Sequence, residues 1–292
     1  MKGVRFIQTL WGYYKAGQKE KILRAITYKL ITRTGLSEKF SVSYRGARFH
    51  PFRSSLSRGI WMMREKFHRK DLDLILDFLR SGDCLIDVGA NVGTHSICAS
   101  VKFGGGLCVF SFEPHPRIYG YLVKNIALNK LSNIQSFNLA LGDCEGEARL
   151  QEDRTDDTSW IDPKNQETGY LVPVKPLDAL QLALDGRVTA VKIDVEGYEL
   201  YVLQGGAETL SEAHFLCLEM GDRHSVRVGY SAQELMRSLE QAGWRLFRTP
   251  EAQSLVEIRS DYNPPDVENL VAVRDLSLLR ERLPTYQIIV SG

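Results

Sequence analysis

Hydrophobic positions along this chain follow two different periods. Between Lys19 and Arg33, Ile22, Leu23, Ile26 and Leu30 recur at helical spacing, flanked by Lys21, Arg24, Lys29 and Arg33. That spacing predicts an amphipathic helix. A second stripe, Leu72, Ile75, Leu76 and Leu79, predicts another helix, with Gly82 placed to stop it. From Cys84 onward, short apolar runs alternate with helical stretches. Strands are predicted over Cys84–Val88, Leu107–Phe112, Ile134–Leu141, Ala190–Val195 and Phe215–Glu219, with Trp244–Arg248 and Leu270–Val273 completing the sheet. Helices are predicted over Thr94–Lys102, Arg117–Asn129, Glu199–Leu210 and Ala232–Ala242.

Strands that alternate with helices imply βαβ units, and so an α/β fold: a mostly parallel twisted sheet with helices on both faces. The alternation breaks between Asp143 and Pro176. Pro163, Pro173, Pro176 and the run Asp156-Asp-Thr-Ser-Trp160 stand where a third helix is expected. This predicts a long irregular insertion of the kind that carries function. The division expected is an N-terminal helical, basic extension over residues 1–70 and the α/β domain over residues 71–292.

Charge sharpens that division. Net charge is +1 overall, which gives no electrostatic case for nucleic acid. Between Met1 and Lys39, however, nine Lys/Arg face only Glu20 and Glu38, a local balance of +7. The first helix therefore has two readings. It is a cover packed over the domain with a solvated basic face, or an interfacial helix that touches anionic lipid or a lipid-linked substrate. The five cysteines never fall at Cys-x-x-Cys spacing, and Cys84, Cys108 and Cys217 lie in apolar runs, as reduced thiols in a reducing compartment would. No apolar run approaches the ~20 residues needed to span a bilayer. The N-terminus also lacks the apolar core and small-residue cleavage site of an export signal. The expected location is the cytoplasm, with a peripheral contact at the inner face of a membrane as the extension of that reading.

Chemistry concentrates at predicted strand ends, where open α/β sheets bind ligands. After the first strand comes Asp87-Val-Gly89-Ala-Asn91-Val-Gly93. Gly89 and Gly93 let the backbone turn sharply, while Ala90-Asn91 replaces the central glycine of a dinucleotide fingerprint. A pyrophosphate needs that close approach at a free helix N-terminus. A sulfonium amino acid needs a carboxylate for its ammonium, for which Asp87 is the candidate, and backbone polar groups for its carboxylate. The second strand ends in Phe112-Glu113-Pro114. There Glu113 can accept hydrogen bonds from a ribose hydroxyl pair and would repel a 2′-phosphate. Near the third strand, backbone at Ala140 and the side chain of Asp143 are candidate partners of adenine.

These blocks, together with Asn138-Leu-Ala-Leu-Gly-Asp143, Pro176-Leu-Asp-Ala-Leu180 and Val191-Lys-Ile-Asp-Val-Glu-Gly-Tyr-Glu199, resemble the signature segments of the FkbM-type methyltransferases. The resemblance runs from about Asp71 to Asp275, with Lys192-Ile-Asp-Val-Glu-Gly197 its most specific block. It implies a Rossmann-like class I methyltransferase fold, S-adenosyl-L-methionine as donor, and a hydroxyl oxygen on a sugar, glycan or natural product as acceptor. The first seventy residues fall outside it.

Methyl transfer from a sulfonium is an in-line displacement, and the protein mainly aligns acceptor oxygen, methyl carbon and sulfur. An alcohol must also lose its proton, which calls for a base within reach. Asp194 and Glu196 end the fourth strand, Glu219 ends the fifth and His224 follows it. Asp194, Glu196 and His224 are therefore the catalytic candidates. No His/Cys arrangement argues for zinc; the carboxylate cluster also raises a divalent cation such as Mg²⁺, which takes oxygen ligands, but no metal ligand is assigned. Two rivals remain at this point: a nicotinamide-dependent oxidoreductase, which would want a fuller glycine fingerprint, and a non-catalytic S-adenosylmethionine-binding module. Acceptor specificity is expected in the Asp153–Tyr170 insertion, the loop after Glu219 and the N-terminal helices.

Overall fold

The computed structural model describes residues 2–152, 159–161, 169–264 and 266–291, apart from the side chains of residues 2–5 and 152. Helices α1 (Lys2–Lys15) and α2 (Lys19–Ile31) open the chain. They run antiparallel, with Lys21 over the Tyr13 ring and Lys29 over the Phe6 ring. Strands β1 (Val42–Tyr44) and β2 (Ala47–Phe49) form a hairpin. Its turn, Arg45-Gly46, has both φ angles positive, as a two-residue hairpin turn requires. Helix α3 (Ser55–Met63) is capped by Ser54, whose side chain accepts from the Ser57 amide, and α4 (Lys70–Phe78) follows.

The regular alternation then begins: β3 (Cys84–Val88), α5 (Thr94–Lys102), β4 (Cys108–Phe112), α6 (Pro116–Leu128) and β5 (Ile134–Phe137). Four short strands follow: β6 (Ala140–Leu141), β7 (Gly146–Glu152), β8 (Ser159–Ile161) and β9 (Tyr170–Lys175). The alternation resumes with β10 (Thr189–Ile193), α7 (Glu199–Gly205), α8 (Ala207–Ser211) and β11 (Phe215–Met220). The chain closes with α9 (Asp222–Ser225), α10 (Ala232–Gln241), β12 (Arg245–Arg248), β13 (Ser254–Ile258), β14 (Glu268–Val273), α11 (Leu276–Arg282) and β15 (Gln287–Ile289).

Nine strands make one sheet in the order β15-β13-β12-β14-β11-β10-β3-β4-β5, with β11, β10, β3, β4 and β5 mutually parallel. Every residue of β3 and β10 is buried, which explains why these strands read as continuous apolar runs rather than alternating ones. The sheet separates two cores: Leu85 packs in one, with Leu72 and Ile75, while Ile86 and Val88 pack in the other, with Val202 and Leu218. Strand order reverses between β3 and β10, so the loops after these two strands border one crevice.

The α/β architecture and the N-terminal helices agree with expectation, and four details correct it. The predicted strand over Ile134–Leu141 is two strands. At Asn138 the chain leaves the large sheet, its side chain donating to the carbonyls of Glu113 and Pro114. The insertion is not wholly irregular, because β6, β9, β7 and β8 form a second sheet in that order, burying Leu150, Ile161, Val172 and Val174. Residues 153–158 and 162–168, including most of the Asp156–Trp160 run and Pro163, lie outside the described residues. The predicted helix over Glu199–Leu210 breaks into α7 and α8 at Gly206, where a Cβ would crowd Leu177 and the Val202 carbonyl. The sheet also extends past β14 and β12 to β13 and β15.

Hydrophobic packing is continuous across residue 70. Tyr44, Phe49, Phe52 and Ile60 belong to the same core as Leu72, Ile75 and Leu79. The two N-terminal helices meet this body through α2: the Tyr28 hydroxyl donates to the Phe52 carbonyl and Arg24 to the Met62 carbonyl, and Ala25, Tyr28 and Ile31 are buried. Leu23, Ile26 and Leu30, three of the four residues of the predicted stripe, are instead exposed, as are Ile7, Trp11 and Tyr14 on α1. The helix therefore packs on a face the periodicity did not single out and turns its apolar stripe outward. Among the described residues no helix is long and apolar enough to cross a membrane.

Candidate active site

A cavity of about 470 Å³ opens over the ends of β3, β4 and β10, within the range of small-ligand pockets. Val88, Ile118, Leu139 and Leu141 give it apolar walls, and Ser159 and Ile161 of the second sheet close one side. Its polar lining runs from Glu113 and Asn91 at one end to Arg69, Asp194, Glu196 and Glu219 at the other.

The loop after β3 is built on Asp87. This carboxylate is fully buried and off the cavity wall. Oδ2 accepts from the Ser96 amide at 3.1 Å and the Ser96 hydroxyl at 2.5 Å, and Oδ1 lies 3.5 Å from Lys192 Nζ. Asp87 is thus engaged in holding the first turn of α5 and in pairing with a buried lysine, and it does not line the cavity. Gly89 (φ +73°) lets the loop lie flush on the end of β10, where a Cβ would stand 1.9 Å from the Asp194 carbonyl oxygen. Gly93 begins α5 away from the cavity.

Glu113 lies at the floor of the cavity. Oε2 accepts from the Asn91 amide at 2.9 Å and Oε1 from the His115 amide at 2.8 Å. Each oxygen keeps a further lone pair, enough for two ribose hydroxyls. Burial pushes this carboxyl up to about 7, against the pull of the two amides. Ala140 lines the same end, whereas Asp143 is exposed and stands outside the cavity, so the geometry does not bring it to an adenine bound there.

At the other end the strand-four block folds into a tight loop. Glu196 takes a left-handed φ of +56°. Gly197 follows at +108°, where a Cβ would strike the His224 carbonyl at 2.6 Å. Glu199, buried, holds this turn by accepting from the Val195 and Gly197 amides, and Tyr230 donates to its other oxygen at 2.9 Å. The result sets His224 Nδ1 3.3 Å from Glu196 Oε2 and 3.3 Å from Glu219 Oε2. Burial, with Asp194 and Glu219 adding to it, raises Glu196 to about 8. The hydrogen bond to Glu219 and the charge of Glu196 raise His224, although burial opposes them. Glu196 and His224 can therefore exchange a proton near neutrality, with Glu196 on the cavity wall and His224 behind it. The ligand atoms of Glu196, Glu219 and His224 lie within 4.8 Å of one another, a spacing that would also suit a cation. Asp194 stands apart from the trio, 3.5 Å from Lys192 Nζ and 4.0 Å from Arg69.

The second sheet reaches this cluster from outside. Arg227 lies 4.6 Å over the Trp160 ring and donates to the Glu196 carbonyl at 3.3 Å. Sequence reading missed Arg69 and the roles of Lys192 and Glu199 in shaping the site. The last two lay within a recognised block, so that block was the available signal; Arg69 had none.

A switch-point pocket with the buried Glu113 carboxylate on its wall and the Glu196 and Glu219 carboxylates beyond it fits a class I S-adenosylmethionine-dependent methyltransferase. The model of the methyltransferase FkbM domain matches residues 87–246, more than half of the chain, and the chain belongs to that family. Over 189 residues it is 26% identical to the hexuronic acid methyltransferase AglP of Haloferax volcanii, covering 63% of this chain and 72% of that protein. Methyltransferase 1 of Beauveria bassiana is 24% identical over 191 residues, 55% of this chain and 75% of that protein. Among solved structures, a precorrin-6y C5,15-methyltransferase from Geobacter metallireducens shares 13% identity at a TM-score of 0.41, covering 72% of this chain and 91% of that one. A SAM-dependent methyltransferase from Aquifex aeolicus shares 15% at 0.41, covering 70% and 89%.

Bound S-adenosylmethionine supplies an activated methyl group. The residues present fit it: Glu113 offers lone pairs to a ribose, the apolar walls suit an adenine, and the carboxylates suit a cationic ligand.

Proposed function

We propose that this enzyme transfers the methyl group to a hydroxyl oxygen of a sugar, glycan or natural-product acceptor. The observation that carries the reading is the Glu196–His224–Glu219 cluster. A carboxylate acceptor arrives deprotonated and needs no base, whereas a hydroxyl does. Similarity to a hexuronic acid methyltransferase supports a sugar acceptor. Glu196 takes the proton, His224 holds its carboxylate in place, Glu219 orients His224, and transfer needs no metal. The test incubates the protein with methyl-labelled donor and uronate-bearing glycans, with and without EDTA. A methyl ether, stable to mild alkali and formed equally with EDTA, is expected. An alkali-labile methyl ester would overturn the hydroxyl assignment, and loss of turnover in EDTA would overturn the metal-free one. Cofactor binding with no transfer to any acceptor would favour a non-catalytic module.

The N-terminal hairpin is proposed to rest on an anionic membrane surface. On α2, at about 100° per residue, the outward stripe (Leu23, Ile26, Leu30) lies opposite the buried face (Tyr28, Ile31) and to one side of the contact with α1 (Lys21, Lys29). On α1 the stripe Ile7, Trp11 and Tyr14 is displaced from the α2 contact in the same rotational sense. In antiparallel helices equal displacement brings both stripes to one side, away from the core. The segment Met1–Lys39 that presents this face carries a local charge of +7. Each basic residue near an anionic leaflet contributes about 1 kcal/mol. Co-sedimentation with phosphatidylserine vesicles should be lost in high salt and on removal of residues before Gly35. Protein left in the supernatant at low salt refutes the proposal, and concentration-dependent dimers through this face would assign it to a second copy instead.

A further inference from the structure

Arg69 lies outside the segment matched by the family model and outside every motif, yet it lines the cavity with about a quarter of its side chain exposed. It enters α4 as the residue before its first turn. Nε donates to Asp71 Oδ1 at 3.1 Å and Nη2 to Asp71 Oδ2 at 2.6 Å. His95 Nε2 lies 3.0 Å from the same Oδ2. Burial opposes ionisation of Asp71, but His95 and Arg69 together hold its carboxyl well below the usual range. The guanidinium is therefore clamped on one edge. Among the described residues, Nη1 makes no hydrogen bond.

The other two basic residues on the wall are committed. Lys192 Nζ donates to the carbonyls of Val88 and Gly89 at 3.2 and 2.7 Å, with Asp87 and Asp194 beside it, and His95 is paired with Asp71. Arg69 alone among the described wall residues combines a fixed positive charge with unspent donors. Its nearest acid toward the cavity is Asp194, at 4.0 Å. A cation and an anion side by side are the complement of an α-amino acid head, whose carboxylate and ammonium are also adjacent. Glu113 occupies the opposite end of the same cavity, where the ribose is read.

We propose that Arg69 binds the carboxylate of the cofactor's methionyl arm while Asp194 receives its ammonium, which makes the pair a zwitterion clamp. The inference rests on the S-adenosylmethionine reading and adds a binding residue upstream of the family domain. It also reassigns Asp194 from proton transfer to cofactor binding. A guanidinium–carboxylate pair is a charge-assisted contact, so its loss should weaken binding about ten- to a hundredfold.

The test compares two ligands that differ only in the amino acid arm, S-adenosylhomocysteine and 5′-methylthioadenosine, by calorimetry on the full chain. Arg69→Ala should lose about ten- to a hundredfold in affinity for the first and less than about twofold for the second. Arg69→Lys, which keeps the charge and part of the Asp71 contact, should fall between on the first ligand and match wild type on the second. It decides the question if the alanine variant fails to fold. Equal losses on both ligands would make Arg69 structural and overturn the proposal, as would unchanged affinity for S-adenosylhomocysteine. If wild type binds neither ligand, the cofactor reading itself fails and takes the clamp with it.

Discussion

Replacing Glu113 with Gln tests the ribose end of the pocket, and the structure sets the size of the effect. Gln keeps the shape but turns one acceptor oxygen into a donor. That NH2 would face a backbone amide, of Asn91 or of His115, or else a ribose hydroxyl that needs an acceptor. At least one charge-assisted hydrogen bond is lost, worth ~1.5–3 kcal/mol, so S-adenosylhomocysteine should bind at least tenfold more weakly. A second signature follows from titration. Burial raises Glu113 to about 7, so its ionised, accepting form declines as pH falls below neutrality. Wild-type affinity should therefore drop about fivefold between pH 7 and pH 6, and the Gln variant should lack that dependence. Calorimetry at both pH values measures this, with thermal melts to confirm folding. The 2′-deoxy analogue separates ribose recognition from loop damage, because it should weaken wild-type binding and cost the variant less. Unchanged affinity in a folded variant, or an analogue that binds wild type as tightly as the parent, would refute the ribose assignment.

Glu196→Gln should retain cofactor affinity within about threefold yet lose ~10²–10⁴-fold in turnover, the range for general-base catalysis. Because Glu196 is raised to about 8 and must be deprotonated to accept a proton, wild-type kcat should climb from pH 7 to pH 9, and a flat profile would remove it as the base. Asp87→Asn should leave Lys192 paired only with Asp194 and disturb the Ser96 contacts, which costs about 3 kcal/mol. A denaturant midpoint within experimental error of wild type would contradict that structural role.

The parts of this molecule legible in sequence are those whose chemistry and fold share one short segment. Glu113 and Glu196 sit at ends of buried strands, and a strand end in a parallel sheet borders the ligand crevice, so position alone pointed to function. Asp87 shows the limit of the same logic. Its place at a strand end was read as facing the ligand, but strand residues alternate in direction, and its neighbours Ser96 and Lys192 draw it beneath the loop. Asp143 lies beyond Asn138, where the chain changes sheets, so the end of β5 does not bring it to the cavity wall. The small sheet was hidden because its strands interrupt the βαβ rhythm with prolines and polar residues. The outward turn of Leu23, Ile26 and Leu30 was hidden because periodicity identifies a face but not what lies against it. Arg69 marks the deepest limit. It reaches the pocket through a contact with Asp71, a contact of Asp71 with His95, and the packing of α4 on α5. No window of sequence holds all three, so only the folded chain assembles the group that would grip the cofactor.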